Sequence, residues 1–451
     1  LPPPRALASI LLVSAFLVGS PLVSRSDDAA APRPCSIDGA IREALTANAS
    51  LQAAAARVGE ARAAARVADA VRHFPWRYEG GATGVVEQSI DPEYWFAHVE
   101  LLTSVTTTLS DGGRSKADWL RAMAEVVVAG AEYDKQAADL TFSVVSSYYG
   151  IVGADAELRA AREGCELVGD HLRLARARFA EGQGPELDVL RAEAALANAQ
   201  AAQVGAQAQA DSARRTLALL IGRPPSELVE IAEAPASGGE PVPDAEPAAA
   251  QARERAPDVR IGQAELALAQ AGVEIARKSN KPGLGIELSH TLGNDATDSR
   301  HVFQAGLRWG VPFGDHGERK ARVDEGAARV RAADALLEEA RRQAELAGRD
   351  ALGAVAAARL RLEGLTRAAE VARTVHDRAA RGYADRAIAM RDLLDARQDL
   401  TAAESERVRA RCDLAIEEAA LRRALGTLVP GTPADAPPPA QTPATQRGSA
   451  P

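Results

Sequence analysis

The spacing of apolar positions along this chain changes period, and it does so twice in the same way. From Ser36 to Arg72, Ile37, Ile41, Ala44, Leu45, Leu51, Ala54 and Val58 recur near helical spacing, which predicts an amphipathic helix with Ser36 as N-cap. His73-Phe74-Pro75 ends it, because proline lacks a donor and disfavours helical geometry in the residue before it. From Trp76 to Ile90 and from Phe96 to Leu109 the chain favours β-branched, aromatic and Gly residues, with Val99, Leu101, Val105, Thr107 and Leu109 on one face. Two strands are expected there, turning at Asp91-Pro92. Helical patterning then returns on a long scale, since Lys116 to Ala180 holds no proline and would span about 100 Å at the helical rise. Gly182-Gln183-Gly184-Pro185 breaks it, and a further helix runs from Glu186 to Leu220.

The second half repeats the sequence of changes. Leu284, Ile286, Leu288 and Leu292 alternate with Gly285, Glu287, Ser289 and Thr291; Phe303, Ala305, Leu307, Trp309 and Val311 alternate with Gln304, Gly306, Arg308 and Gly310. Helices are expected over Arg319 to Ala380 and Ala389 to Leu425, with a turn from Gly382 to Ile388. Individual residues return 204 positions on: Asp111 and Gly113 as Asp315 and Gly317, Phe179-Ala180-Glu181 as Tyr383-Ala384-Asp385, Asp188-Val189-Leu190 as Asp392-Leu393-Leu394, and Gly222 as Gly426. One shift held without a gap means two copies of one structural unit.

The strands approach the ~9–11 residues that a tilted strand needs to cross a bilayer. One face of each hairpin is apolar and the other polar, as in a membrane barrel with aromatics such as Trp76 and Trp309 near the interfaces, although a water-soluble hairpin packed on helices permits the same alternation. The helices carry mostly Ala, Leu and Val at their apolar positions and no continuous apolar block, so they belong in water.

Composition agrees with long helices. Of 451 residues 25% are charged and only 4% aromatic, which leaves little material for large globular cores and favours a bundle or coiled coil. A net charge of −9, with basic residues interleaved among acidic ones, argues against a nucleic-acid partner. Arg5 followed by an apolar stretch from Ala6 to Val23 reads as a secretory signal, with a membrane anchor as the alternative. Pro32-Arg33-Pro34 ahead of Cys35 lack the small apolar character that lipidation requires, and Cys35, Cys165 and Cys412 show neither metal-ligand spacing nor a predicted disulfide. The seven His are scattered, and the Gly-rich run Gly310 to Gly317 makes a strand-to-helix bend rather than a phosphate cradle. No enzyme activity, cofactor or metal is expected. The chain thus divides into a signal segment (1–31), a first repeat (36–233, with a hairpin at 76–109 and a helical hairpin at 115–222), a linker (234–250), a second repeat (251–429, with a hairpin at 284–312 and a helical hairpin at 318–426) and a disordered tail (430–451).

Four strands cannot close a barrel, and open strand edges are not tolerated in hydrocarbon. Several chains must contribute, and three would give twelve strands with the helices continuing as a tube below.

Here the chain resembles the TolC-like outer-membrane efflux protein family, from about Ser36 to Gly426. The resemblance rests on Ala40-Ile41-Arg42-Glu43-Ala44-Leu45 with Asn48 and Leu51, Leu109-Ser110-Asp111-Gly112-Gly113-Arg114, Ala177-Arg178-Phe179-Ala180-Glu181-Gly182 with Leu187-Asp188-Val189-Leu190-Arg191-Ala192-Glu193, and Leu219-Leu220-Ile221-Gly222-Arg223-Pro224-Pro225. It implies a mainly α protein with transmembrane β: a homotrimer whose twelve-stranded barrel, four strands per chain, sits in outer-membrane lipid and continues into a periplasmic α-helical barrel. It also implies a passive exit duct for small molecules or polypeptides, in a tripartite efflux pump or type I secretion system, with a periplasmic membrane-fusion adaptor and an inner-membrane transporter of RND or ABC type as partners. Asp392 and Asp395 match the family's paired acids at the periplasmic entrance, and Tyr383 matches a tyrosine of its closed-state bonding, whereas Arg386 stands where the family usually has Gly. Gly182, Gly184, Asp188, Leu190, Gly382 and Leu393 fall in the tips that meet the adaptor. The competing reading is a secreted periplasmic coiled-coil scaffold without channel activity.

Overall fold

A computed structural model describes residues 34–73, 76–88, 95–182, 185–232, 244–279, 281–294, 299–310, 315–384, 387–388 and 390–428. The expected signal segment, the tail and most of the linker lie outside the described residues. In order the elements are α1 (Ile37–Ala47), α2 (Ala49–Arg72), β1 (Trp76–Gln88), β2 (Trp95–Ser110), α3 (Arg114–Ala180), α4 (Glu186–Leu220), α5 (Ala245–Arg255), α6 (Pro257–Lys278), β3 (Gly283–Asn294), β4 (Ser299–Gly310), α7 (Glu318–Ala384) and α8 (Met390–Ala424). The long helices α3 and α7 both have 67 residues, and α4 and α8 both have 35.

The opening helix differs from the sequence expectation: it is two helices. Asn48 takes an extended conformation, and its side-chain oxygen accepts from Ser50 N at 3.0 Å and Leu51 N at 3.3 Å, which starts α2. Its amide nitrogen donates to Leu220 O at 3.0 Å, so the break meets the end of α4. Gly222 fits there because it has φ +80 and because any Cβ would press on the Ala47 carbonyl. The second copy builds the same junction with other residues: Pro257 opens α6, and Gly426, φ +68, lies against the Arg255 carbonyl at the end of α8. The stretch expected as linker ends in α5, whose Ala248, Ala249 and Ala252 are buried; Ala248 and Ala252 pack with Leu352 and Val355 of α7.

Around the first junction a core forms from Leu51, Val144, Tyr148, Ile151, Leu217, Ile221 and Val229. Cys35 pairs with Ile231 as an isolated parallel bridge, and Tyr148 donates its hydroxyl to Ala232 O at 2.8 Å. Burial pushes the Tyr148 phenol up to about 12 and raises the Cys35 thiol. Arg223 grips Glu43 with two bonds, 2.7 and 2.9 Å, closing the α1 side of the core.

One four-stranded antiparallel sheet runs in the order β1-β2-β3-β4. Helices and strands keep the same order: α2 leads into β1, β2 into α3, α6 into β3, β4 into α7, and α2 packs on α3, α3 on α6 and α6 on α7. At the far ends of the long helices α4 packs on α3, α3 on α8 and α8 on α7. The protomer is therefore a wall four helices wide, in which α3 is interior and α7 lies on an edge. Ion pairs tie α3 to the second copy: Arg260 to Asp134 at 2.6 Å, Lys135 to Asp258 at 2.5 Å, and Arg423 to Asp139 at 3.0 Å.

Candidate functional site

The strand-to-helix corner places everything below it, and both copies build it with Asp-x-Gly. Asp111 accepts from Gly113 N at 2.8 Å and from Ser115 N at 2.6 Å, filling donors that the first turn of α3 leaves open. Asp315 does the same for Gly317 N at 3.2 Å and Arg319 N at 3.3 Å. Partial burial pushes the Asp111 carboxyl up, but the bonds from Ser115 and Gly113 outweigh it, and the group sits below its ordinary range.

At the other end of the long helices are the tips. Gly182, φ +70, closes α3, its N–H donating to Phe179 O at 3.0 Å, and Asp188 lies in the first turn of α4. Leu187 and Leu190 are 53% and 55% exposed, so this tip offers apolar surface. In the second copy α7 runs four residues beyond its expected end, through Tyr383, and Gly382 is helical rather than part of the turn. Ile388 folds back against Gly382, and Ala387 N donates to Gly382 O at 2.7 Å. Gly184 and Arg386 lie outside the described residues, as does the Tyr383 side chain.

Asp392 and Asp395 share the exposed side of α8, while Leu393 is half-buried and Leu394 is packed inward. Arg391, which sequence reasoning passed over, lies 3.7 Å from Asp395. The first tip has an ion pair of its own, Arg191 with Asp188 at 4.0 Å. An i,i+3 or i,i+4 spacing is the signal that finds both.

The sheet has an apolar and a polar face, although His290 and His301 stack beside Phe303 on the apolar side. The rows Tyr78, Val105, Leu288, Ala305 and Trp76, Thr107, Ile286, Leu307 lie on one side. Arg77, Thr106, Glu287, Gly306 and Glu79, Ser104, Ser289, Gln304 lie on the other, where Arg308 pairs with Glu287. On the apolar side Trp76, Tyr78, Phe303, Leu307 and Trp309 are 64–77% exposed, a surface suited to lipid. β1 and β4 have no outer neighbour in the sheet. Exposed apolar side chains also mark the helical edges. Leu336, Leu346, Leu360, Val371 and Val375 fall within about 120° of one another around α7, and Leu187, Leu190, Val204 and Leu219 within about 100° around α4, at 3.6 residues per turn. Among the described residues no helix is long and apolar enough to cross a membrane.

The outer membrane efflux protein family model matches residues 40–223 and 248–427. The chain belongs to the outer membrane efflux protein family. Membership places it in the outer membrane with its helices extending into the periplasm, in a family of transport proteins. The chain is 31% identical over 241 residues to protein CyaE of Bordetella pertussis, which covers 52% of this chain and 50% of that protein. It is 29% identical over 312 residues to the pyoverdine export outer membrane protein OpmQ of Pseudomonas aeruginosa, covering 65% and 64%. The matches thus span half and just under two thirds of these curated relatives. The fold matches the outer-membrane channel OprN with a TM-score of 0.73 at 25% identity, over 87% of this chain and 91% of that one. As an efflux-family protomer the chain has a TolC-like fold, its strand sheet continuous with its helical wall.

Proposed function

We propose that three copies of this chain close edge to edge into a passive outer-membrane exit duct. The observation that carries this reading is the pair of matched open edges. β1 and β4 leave unpaired backbone on a sheet whose outer face is apolar, which hydrocarbon does not tolerate. The helical edges below them, α2 and α4 on one side and α7 on the other, expose apolar side chains. Edge-to-edge contact between unlike surfaces closes a ring when the rotation closes. Three copies bring twelve strands around a lumen faced by Arg77, Glu79, Glu287 and Arg308.

The two tips then surround the periplasmic mouth. Asp392 and Asp395, repeated threefold, form an acidic ring that holds cations, and the family match makes Tyr383 and Arg386 candidate gate residues. Gly182, Asp188, Leu190, Gly382 and Leu393, with Gly184 in the first tip's sequence, are the candidate contacts for an adaptor hairpin, Leu187 and Leu190 supplying apolar surface. An RND or ABC transporter in the inner membrane supplies the energy and chooses the cargo. OpmQ is by name a pyoverdine exporter, which favours small molecules as cargo.

The test is reconstitution. Full-length protein purified in detergent should run as a heat-modifiable trimer and conduct ions in planar bilayers. A monomer that extracts without detergent and gives no conductance would return the chain to a coiled-coil scaffold.

A further inference from the structure

We propose that the strand-to-helix boundary carries a lysine collar that binds anionic glycerophospholipid headgroups of the periplasmic leaflet. The chain has 53 Lys and Arg, of which only five are Lys: Lys116, Lys135, Lys278, Lys281 and Lys320. Four of the five sit where sheet meets helix. Lys116 is the third residue of α3 and Lys320 the third of α7, while Lys278 ends α6 and Lys281 lies two residues before β3. An Arg-rich chain that places its few lysines this way is using a property of lysine.

That property is a compact, strongly hydrated charge on a flexible stem, which keeps its head in the headgroup layer while the stem lies along apolar surface. The neighbourhood fits. Trp76 and Trp309, 64% and 73% exposed, stand at the helix-side end of the apolar face, where interfacial aromatics mark the edge of the hydrocarbon. The collar begins just beyond them. Lys278 and Lys281 pack beside the Gly112-Gly113 corner, which joins the collar of one copy to the corner of the other.

Pairing separates these four from the fifth. Lys135, lower on α3, bonds Asp258 at 2.5 Å. Among the described residues none of the four collar lysines has a carboxylate within ion-pair distance, whereas Asp111 and Asp315 cap helices, Glu274 pairs with Arg277 and Glu318 with Arg322. Unpaired ammonium groups at the depth of lipid phosphates have those phosphates as partners.

The proposal rests on the sheet being a membrane barrel, and the experiment keeps the two apart. The full-length protein is placed in nanodiscs of mixed phosphatidylglycerol and phosphatidylcholine, retained lipid is quantified by native mass spectrometry, and conductance is recorded in parallel. A lysine near an anionic surface is worth roughly a fivefold preference, so wild type should retain phosphatidylglycerol at least about fivefold over phosphatidylcholine. In 0.5 M salt the preference should fall, while 10 mM inorganic phosphate at constant ionic strength should leave it unchanged. K116Q/K278Q/K281Q/K320Q should retain both lipids equally, K135Q should behave as wild type, and the fourfold Lys→Arg variant should retain clearly less phosphatidylglycerol than wild type although its charge is unchanged. Absence of lipid preference in a conducting wild type overturns the collar and spares the duct. Competition by free phosphate, or an altered ion selectivity in the Gln variant with lipid preference intact, also overturns it by placing the lysines at a soluble-anion site or in the lumen.

Discussion

Replacing Leu360 with Asp probes the edge-to-edge closure where its energy is concentrated. Leu360 lies midway along α7 and is 70% exposed in the single chain, with Leu346 at 60% in the same stripe. Full burial of a leucine stabilises by about 1.5–3 kcal/mol, so covering the exposed part of Leu360 contributes roughly 1–2 kcal/mol at each interface. A ring of three has three such interfaces, so Leu360→Asp removes about 3–6 kcal/mol per trimer before the cost of desolvating the carboxylate. At 1.4 kcal/mol per tenfold, the trimerisation constant falls roughly a hundred- to ten-thousand-fold, and because it scales with the square of concentration the trimer should dissociate at roughly ten- to a hundred-fold higher concentration. Mass photometry of detergent-solubilised protein across a dilution series measures this directly. Circular dichroism should show unchanged helix content, because the side chain touches little within its own protomer. Trimers as resistant to dilution as wild type would refute the reasoning, since the α7 stripe would then face lumen or periplasm instead of a neighbouring copy.

At the mouth, Asp392→Asn with Asp395→Asn should lower cation selectivity, read as a shift in reversal potential across planar bilayers; unchanged selectivity with unchanged block by trivalent cations rejects the acid ring. Asp111→Ala removes a cap and should destabilise by about 1 kcal/mol in thermal unfolding. Because its folded carboxyl lies below the ordinary range, that stabilisation is complete above the unfolded-state value and fades as pH falls through the folded one, so wild type and Asp111→Asn should converge below about pH 4. Gly426→Ala forces a Cβ onto the Arg255 carbonyl at φ +68 and should cost more than about 1 kcal/mol, whereas Gly130→Ala, inside α3 with nothing within 4 Å, should gain about 0.5–1 kcal/mol. Equal melting temperatures for the two glycine variants would remove the junction argument.

How much the sequence disclosed follows from how local each signal is. Hairpins and long helices were legible because alternation and helical period are properties of neighbouring residues, and the repeat at 204 positions reinforced both. The break at Asn48 escaped because an Asn inside an apolar-periodic run looks like a surface position; only Leu220, 172 residues away, reveals that its amide has a partner. α5 escaped because Pro247 and the acidic, Ala-rich surroundings read as linker, although proline is tolerated in a first turn and the helix is held by α7. At the second tip Gly382 resembled a breaker, but a glycine stops a helix only where the chain turns left-handed, and here it stays helical. The tip acids are legible as a spacing, and Arg391 four residues before Asp395 is legible only when that spacing is read across both signs of charge.

The two copies are equal in shape and unequal in place, and that inequality shapes the mechanism. α3 packs against α2, α4, α6 and α8, so the first arm is gripped on both flanks inside its own protomer. α7 packs against α5, α6 and α8 and turns its remaining apolar stripe outward, so the second arm is held on one flank by its own chain and on the other only by a neighbour. Tipward of the cluster in which Cys412 and Ala415 pack with Val145 and Tyr149, the polar contacts between α8 and α3 include Arg409 with Glu157 and Thr401 with Glu163, each with an exposed partner, and these contribute little. An arm that must move relative to a fixed wall is the one with the weaker intramolecular hold. The copy that carries Asp392 and Asp395 is that arm, so the chain's own packing, independently of the acids, supports the proposal that the gate lies on α7 and α8.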